Sequence, residues 1–343
     1  MYITFLIGNG FDLNLGLRTR YVDFYDYYKE HASKDSLILH WMQEDNDKGD
    51  WADLESALGN RIANVDKDSL VKFMQSLAEL EYSLLDYLEM EQNKYSVDAA
   101  EKAVLLEIAR SLKNIPTELT ADERTSFEST CKAYVNEELQ YWFITFNYTD
   151  ILDLMVSKVT NTNIDLGSHY AINGQVRRHT IGGVHHVHGT MTEGVVLGVN
   201  DESQINNEVL SKDEMFKNIF LKNRINSQMG QRRTERAEEI IDKSQIICIF
   251  GMSIGITDRR WWERIIEWLL ANDKRKLLIY TRIDESLLRR RIPTNIIPAI
   301  ENVRRDFWEK GKGNLGEDLY RKIQSRIIVV FNSRIFNFPK VNC

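Results

Sequence analysis

The sequence predicts an α/β protein with a mostly parallel, Rossmann-like sheet and a large all-helical insertion after the first strand. Two observations lead to this class. Short apolar runs alternate with amphipathic segments along much of the chain, which is the pattern of buried parallel strands covered by helices. The interval between the first two runs has helical spacing and is too long for a simple crossover. The composition, 43% hydrophobic and 28% charged over 343 residues, is that of an ordinary globular chain.

The first strand is predicted over residues 2–7, an apolar run that ends in a Gly-Asn-Gly turn. From about residue 21 to residue 140 the spacing becomes helical, as a series of apolar residues shows: Leu54, Leu58, Ile62, Leu70, Phe73, Met74, Leu77, Leu80, Leu84 and Leu88. We therefore predict a Rossmann-like core formed by residues 1–20 and 141–343. Residues 21–140 are predicted to form a helical insertion that acts as a lid over the strand ends.

Further strand-like runs follow the insertion, at residues 141–146, 183–188, 194–199, 245–250, 276–280 and 326–331. An amphipathic helix between two of these runs carries Trp261 and Trp268 on its apolar face. We interpret Trp261 as a core residue rather than as a platform for stacking a base. Thr120 and Glu123 have the spacing of a capping box, which predicts the start of the last helix in the insertion.

The N-terminus and the cysteines exclude several classes of protein. The first apolar run is far shorter than the roughly 20 residues that span a bilayer, and no basic segment precedes it. We therefore expect neither a signal peptide nor a membrane anchor. Cys131, Cys248 and Cys343 are odd in number and lack CxxC spacing, which argues against a disulfide framework or a zinc ribbon. A cytoplasmic location and no membrane partner are predicted.

The net charge of −7 is unevenly divided, with −17 over residues 1–209 and +10 over residues 210–343. The basic half includes Arg289-Arg290-Arg291 and Arg304-Arg305, and such runs can form a nucleic-acid face. The alternative is that an acidic part packs on a basic part or on a second subunit. We favour this second reading, so a nucleic-acid partner is the less favoured expectation and a homo-oligomer stays open.

The turn after the first strand, Gly8-Asn9-Gly10-Phe11-Asp12, is a candidate nucleotide site. Glycines there let the backbone approach a pyrophosphate, and a following helix presents free amides to the negative charge. A tight bend from strand to helix would need the same residues, so both readings stay open. The dehydrogenase fingerprint GxGxxG is not met, which disfavours a hydride-transfer enzyme.

Two further strand ends carry polar side chains. Asn147 follows the second run and would lie beside the first turn if the two strands are neighbours, although Asn147 or Thr149 could instead cap the next helix. His188 follows another run, where an imidazole suits proton transfer or polarisation of a hydroxyl. Strand alternation would place His186 and His188 on one face and His185 on the other, and no dense ligand spacing supports a metal site, so no metal is expected.

A second glycine turn follows the run at 245–250, where Gly251 and Ser253 face the first turn and make a two-sided cradle for a dinucleotide more plausible. Asp258 is placed to cap the tryptophan-containing helix. Within the insertion, Asp53 and Glu55 stand near a helix start, where acids ordinarily complement the helix dipole.

In chain order, the segments GNGFD, LGLRTRY, WADLE, FNYTD, HVHG with VVLGVND, and IFGMSIGITD resemble the AbiH family of bacterial phage abortive-infection proteins. The similarity runs from the N-terminus to about residue 265. That family is in turn distantly similar to the sirtuin-like NAD-binding fold. The resemblance implies a nucleotide-binding set and a catalytic pair: Gly8, Asn9, Gly10, Phe11, Asp12, Thr19, Tyr21, Gly251, Ser253 and Asp258 for binding, and Asn147 and His188 for catalysis.

The function implied by the resemblance is phage defence in which NAD is the substrate and is hydrolysed to nicotinamide and ADP-ribose. Three scattered cysteines cannot build the sirtuin zinc module, so protein deacetylation is disfavoured. A nuclease or nucleic-acid-binding effector and a non-catalytic nucleotide or phage sensor are the alternatives. We expect the resting protein to be blocked, with Asp53 or Glu55 in the site until a phage-derived trigger acts. Residues after about 290 are assigned only a structural role.

Overall fold

The computed structural model describes residues 1–45, 51, 53–162, 164–288 and 292–340. Its strands are β1 Tyr2–Ile7, β2 Gln140–Thr145, β3 Ser168–Tyr170, β4 Val176–Arg178, β5 Thr180–His186, β6 Gly189–Thr190, β7 Gly194–Val195, β8 Ser244–Phe250, β9 Lys276–Thr281 and β10 Ile327–Phe331. Its α-helices are α1 Gly10–Asn14, α2 Tyr21–His31, α3 Leu37–Glu44, α4 Leu54–Arg61, α5 Lys67–Gln92, α6 Glu101–Lys113, α7 Ala121–Ala133, α8 Ile151–Asn161, α9 Glu214–Phe220, α10 Lys222–Gln228, α11 Arg233–Lys243, α12 Arg259–Ala271, α13 Glu285–Leu288, α14 Pro293–Gly311 and α15 Glu317–Ile323.

The central sheet has six strands in the order β10-β9-β8-β1-β2-β5, and every pair is parallel. The predicted α/β, Rossmann-like class is therefore confirmed. After β1 the chain builds the sheet in one direction through β2 and β5, and it then returns to the other side of β1 with β8. The carboxyl ends of β1 and β8 consequently form the topological switch point, where open α/β sheets bind their ligands.

Hydrophobic packing covers both faces of this sheet. One cluster contains Phe5 and Phe143 with helices of the insertion, and the opposite cluster contains Leu6, Ile249 and the apolar face of α12. Trp261 is 2% exposed within that second cluster, so its interpretation as a core residue is confirmed. These predominantly apolar strands are buried on both sides of the sheet, which explains why their sequences are nearly continuous hydrophobic runs.

Helices α2 to α7 lie between β1 and β2, as the helical spacing predicts. Apolar residues between 24 and 88 form a cluster of their own with residues 197–221, whereas those between 95 and 139 pack against the sheet. The capping box of Thr120 and Glu123 is present at the start of α7. The role of the insertion as a lid stays a prediction.

Two strand predictions need correction. The run at 194–199 forms a strand only over Gly194–Val195. Leu197 and Val199 are instead buried against the insertion, and Val199 makes an isolated parallel bridge with Leu221. Strand β5 ends at His186, so strand alternation does not extend to His188. The shared face expected for these two imidazoles is therefore wrong, and they have different partners.

The basic half uses several of its arginines internally. Arg304 donates to the Ile327 carbonyl, while Arg305 pairs with Glu301 and Glu317. The run Arg289-Arg290-Arg291 lies outside the described residues, as does Cys343. Cys131 and Cys248 are free thiols. Within the described ranges, no helix has both the length and the apolar character that a bilayer crossing requires.

Candidate functional site

A cleft of about 780 Å³ runs along the carboxyl edge of the sheet. Every residue predicted to bind or to catalyse lines it except Phe11: Gly8, Asn9, Gly10, Asp12, Thr19, Tyr21, Asn147, His188, Gly251, Ser253 and Asp258. They come from the ends of β1, β2 and β8, from the segment after β5 and from the start of the insertion. Parallel strands bring these distant segments together because their carboxyl ends share one edge.

The two glycine turns pack directly on each other. A Cβ at Gly10 would lie 2.5 Å from the Gly251 Cα, and Gly251 itself has a φ of +68°, which favours glycine. The amides of Gly8, Gly10 and Phe11 donate to the carbonyls of Phe250, Gly251 and Gly8. These three amides are therefore not free for a pyrophosphate, because the carbonyls of Phe250 and Gly251 accept from two of them and the Gly8 carbonyl accepts from the third.

Phe11 is a core residue of this structure. Its ring is 1% exposed and meets the rings of Phe336 and Phe338 edge-on, at centroid distances of 6.0 and 5.7 Å. Phe11 is therefore buried in the core and does not line the cleft, and its assignment to the nucleotide cradle stays a prediction. Asn9, in contrast, faces the cleft, where its side chain exchanges hydrogen bonds with Thr19.

Asp12 is a buried carboxyl group with one oxygen unused. Its Oδ2 accepts a hydrogen bond from the Thr149 hydroxyl at 2.8 Å, and its Oδ1 has no partner among the described residues. Burial raises the pKa of Asp12 to about 7, against the lowering effect of Thr149 and the nearby Asn147 side chain. Neither Thr149 nor Asn147 caps α8 through its side chain, so the capping alternative is wrong. The cleft therefore holds a carboxyl group that titrates near neutral pH.

The backbone at Asn147 is held by a second imidazole. His186 contacts the Asn147 carbonyl through Nδ1 at 3.1 Å and Asp153 Oδ2 through Nε2 at 2.6 Å. The Asp153 side chain raises the pKa of His186 although burial opposes this. Asp150, Asp153 and His186 are close enough together for a metal ion, but both imidazole nitrogens already have partners. The expectation of no metal stays a prediction.

His188 belongs to a buried group that the sequence did not reveal. Lys222 Nζ lies 3.2 Å from His188 Nε2 and 2.7 Å from Glu55 Oε2, and all three side chains are buried. Burial, with Lys222 and Arg233, lowers the pKa of His188 well below its ordinary value, so the imidazole is neutral at physiological pH. Burial raises the pKa of Glu55 to about 7, and its Oε1 is unpartnered within the described ranges.

Further acids surround this group. Burial raises the pKa of Asp258 to about 6, and although Asp258 stands at the N-terminus of α12, it makes no side-chain cap. Asp53 caps α4 by accepting from the Ser56 amide at 3.0 Å. The hydroxyl of Tyr148 donates to the Val196 carbonyl at 3.3 Å beside Tyr21. This end of the cleft is consequently rich in carboxyl groups.

Residues after 290, which were predicted to have only a structural role, also line the other end of the cleft. Ser333, Ile335, Asn337 and Lys340 line it, together with residues at the end of β9. The terminal segment returns to the cleft because Phe336 and Phe338 pack against the core beside Phe11. No local motif marks these residues, although the aromatic spacing after the last strand is a weak signal that the segment is buried.

The family model described as "Bacteriophage abortive infection AbiH" matches residues 4–280, which is more than half of the chain and includes both glycine turns. No curated protein matches the sequence.

Proposed function

The chain belongs to the AbiH family, whose role is phage abortive-infection defence, and from that premise we propose that its cleft binds NAD and hydrolyses it. The observation that carries the proposal is the convergence of four groups on one cleft at the switch point of the sheet: Asn147, His188, and the carboxyl oxygens Asp12 Oδ1 and Glu55 Oε1, which have no partner within the described residues. A buried acceptor without a hydrogen bond lowers the stability of the folded state unless a ligand or water supplies the donor. Ribose hydroxyls are suitable donors.

In the proposed reaction the bond between the ribose C1′ and the nicotinamide nitrogen breaks, and its electron pair leaves with nicotinamide. Positive charge develops on the ribose, where the carboxylates of Glu55 and Asp12 stabilise it. A water oxygen then bonds to C1′ and releases a proton, which gives ADP-ribose. Asn147 positions the water or the carboxamide, and neutral His188 accepts a hydrogen bond from a ribose hydroxyl.

His188 is suited to accept a hydrogen bond as a neutral imidazole and is a weak proton acceptor, because burial lowers its pKa well below its ordinary value. Asp12 and Glu55, with pKa values raised to about 7, are suited to exchange protons at neutral pH. General acid or base assistance is worth roughly 10²–10⁴-fold, and positioning and charge stabilisation must supply the remaining acceleration. NAD as substrate, the absence of a metal and a cytoplasmic location are parts of this proposal.

The test is incubation of the purified chain with NAD, ATP and RNA, followed by identification of products by mass spectrometry. We expect loss of NAD with release of free nicotinamide once a lysate of phage-infected cells supplies the trigger, and little loss without it. Asn147→Ala and His188→Ala should each reduce this rate by about 100-fold, within the range for removal of a positioned polar group. His40→Ala is the matched control, because His40 is exposed on α3 and outside the cleft.

The other possible outcomes of this incubation would support a different function or contradict the assigned residue roles. RNA fragments would indicate the nuclease, while a thermal shift with NAD or ATP but no turnover would indicate a nucleotide sensor. Hydrolysis of NAD at the wild-type rate by both cleft variants would contradict the assigned roles of Asn147 and His188. Steep dependence of RNA binding on salt would support a nucleic-acid partner.

A further inference from the structure

The cleft extends past the glycine turns to the carboxyl end of β9, where Arg282 and Lys340 line it. Both side chains are exposed. Arg282 donates from Nη2 to Asn14 Oδ1 at 3.1 Å, and across the described ranges neither cation is paired with a carboxylate. Arg20, which also lines the cleft, is bound to Asp23 at 2.8 Å. Two cations at this end are therefore without a counter-charge.

Two carboxylates, Glu107 and Glu118, do lie against the same terminal segment, but their hydrogen bonds are directed elsewhere. Glu107 accepts from the Asn337 amide at 2.8 Å and does not line the cleft. Glu118 accepts from the Ser333 hydroxyl and, at 2.8 Å, from the Arg334 amide. It is not part of the cleft lining. Glu118 therefore fixes the course of the segment and leaves Arg282 and Lys340 available to a ligand.

The glycine turns do not offer an alternative anion site at the positions expected. The amides of Gly8, Gly10 and Phe11 are all bonded to backbone carbonyls of the two turns. A phosphate group in this cleft must therefore obtain much of its stabilisation from side chains. Arginine suits this because its planar fork can donate two hydrogen bonds to phosphate oxygens, and lysine suits it as a point charge.

The charges in the cleft are arranged with opposite signs at its two ends. Asp53, Glu55 and Asp258 line the end near His188, which disfavours an anion there. Arg282 follows β9 and Asn147 follows β2, and three strand spacings separate these strands. At roughly 4.8 Å per spacing the ends are about 14 Å apart. A ligand that contacts both ends must therefore be long and must carry its negative charge away from the acidic end.

We propose that Arg282 and Lys340 form a phosphate-binding subsite that receives the pyrophosphate of a dinucleotide and thereby sets its direction in the cleft. The nicotinamide ribose then lies at Asn147 and the acidic end. This inference rests on the proposed function and adds a binding site contributed by the end of β9 and the terminal segment. We expect these contacts to be the same before and during the chemical step, so that they affect the dissociation constant.

The test is calorimetric titration of the purified chain with NAD and with nicotinamide riboside, which has the cationic base and ribose but no phosphate. For the double variant Arg282→Met, Lys340→Met we expect NAD to bind about tenfold more weakly or worse, since charge-assisted hydrogen bonds are lost. Affinity for the riboside should stay within about twofold, since neither cation is expected to contact it. The control is Arg334→Met, because Arg334 is exposed on the same segment but does not line the cleft.

The outcomes separate the subsite from the proposed function. Equal NAD affinity of the wild type and the double variant overturns the subsite and leaves NAD binding intact. No NAD binding by the wild type overturns the proposed function and the subsite together. An equal loss of affinity for the riboside also overturns the subsite, because it indicates damage to the whole cleft. The charge-reversed pair Arg282→Glu, Lys340→Glu should weaken NAD further, with an unchanged thermal unfolding temperature since both residues are exposed.

Discussion

At the residue scale, the most consequential contact is the one that Lys222 makes with Glu55 and His188. The three side chains come from the insertion, from the segment after β5 and from α10, and they meet in a buried position. A buried ammonium requires a counter-charge, and here Glu55 supplies it. Burial and, after it, the same ammonium lower the pKa of the neighbouring imidazole and keep it neutral. One residue therefore links the stability of the insertion to the chemistry of the cleft.

Lys222→Met is expected to destabilise the protein by about 2–3 kcal/mol at pH 7.5, because it leaves Glu55 buried without a partner. The loss should be smaller at pH 6, where Glu55, with a pKa raised to about 7 in the wild type, takes up a proton. Urea unfolding at both pH values measures this. Lys312→Met, which removes a surface pair with Glu309, should cost less than about 0.5 kcal/mol. Equal stability of Lys222→Met and the wild type would contradict the importance of the pair.

Asp12 gives a pH-dependent prediction. Burial raises its pKa from 3.8 to about 7, so the folded chain binds this proton more tightly than the unfolded chain. The resulting stabilisation is complete below about pH 4 and is lost as the pH rises through 7, by at most about 1.4 kcal/mol per pH unit. Asp12→Asn does not titrate and keeps an oxygen for the Thr149 hydroxyl.

Urea unfolding of the wild type and Asp12→Asn at pH 5, 6, 7 and 8 tests this sign. The free energy of unfolding of the wild type should fall relative to that of the variant as the pH rises. Glu55 titrates in both proteins, so the difference isolates Asp12. If the free energies of unfolding of the two proteins change in parallel with pH, the environment of Asp12 does not raise its pKa.

At the scale of elements, the carboxyl edge of the sheet is built by two turns that exclude side chains from their contact. The space between Gly10 and Gly251 is filled by backbone atoms of both turns. Hydrogen bonds from the Gly8 and Gly10 amides to the end of β8 hold the turns together. The glycines are thus required by turn packing, independently of any ligand.

Gly10→Ala is expected to destabilise the protein by about 2–3 kcal/mol, because its Cβ would lie 2.5 Å from Gly251 Cα and 2.8 Å from the Gly251 carbonyl oxygen. Gly255→Ala is the matched control in the second turn region. A Cβ there meets its nearest neighbour, Thr257 Oγ1, at 3.4 Å, so the change should stay within about 0.5 kcal/mol. Thermal and urea unfolding measure both, and a tolerated Gly10→Ala would refute the packing argument.

Continuous apolar runs predicted β1, β2, β8, β9 and β10 well, because each of these strands is buried on both faces of a parallel sheet. The strand predicted at 194–199 is too long, because apolar character indicates that residues are buried and does not show that they pair in a sheet. Asn147 and His188 were placed in one cleft by the rule for strand ends. The sequence analysis did not identify Lys340, which lines the cleft, or Lys222, which contacts the cleft residues Glu55 and His188. Only tertiary packing brings these lysines to the site, and no spacing in the sequence indicates it.

At the scale of the whole molecule, the insertion divides into a part that packs against the sheet and a part that packs with residues 197–221. The second part is tied to that segment by the Asn207 side chain, which donates to the carbonyls of Ile62 and Val65 at 3.0 and 2.9 Å. Glu55 and Lys222 join the same two regions at the cleft. A lid movement would therefore carry residues 24–88 and 197–221 together.

The proposed enzyme makes a prediction for infected cells. Cells that express the wild-type chain should keep their NAD until phage infection, then lose it and release fewer phage, because exhausted NAD stops the metabolism on which phage replication depends. Asn147→Ala should retain NAD and lose protection, while His40→Ala should behave as the wild type. Plaque counts and mass-spectrometric measurement of NAD and nicotinamide after infection test this. Protection without any fall in NAD would contradict the enzyme proposal and favour the sensor, in which a ligand or water supplies donors to the carboxyl oxygens of the cleft that are unpartnered within the described residues.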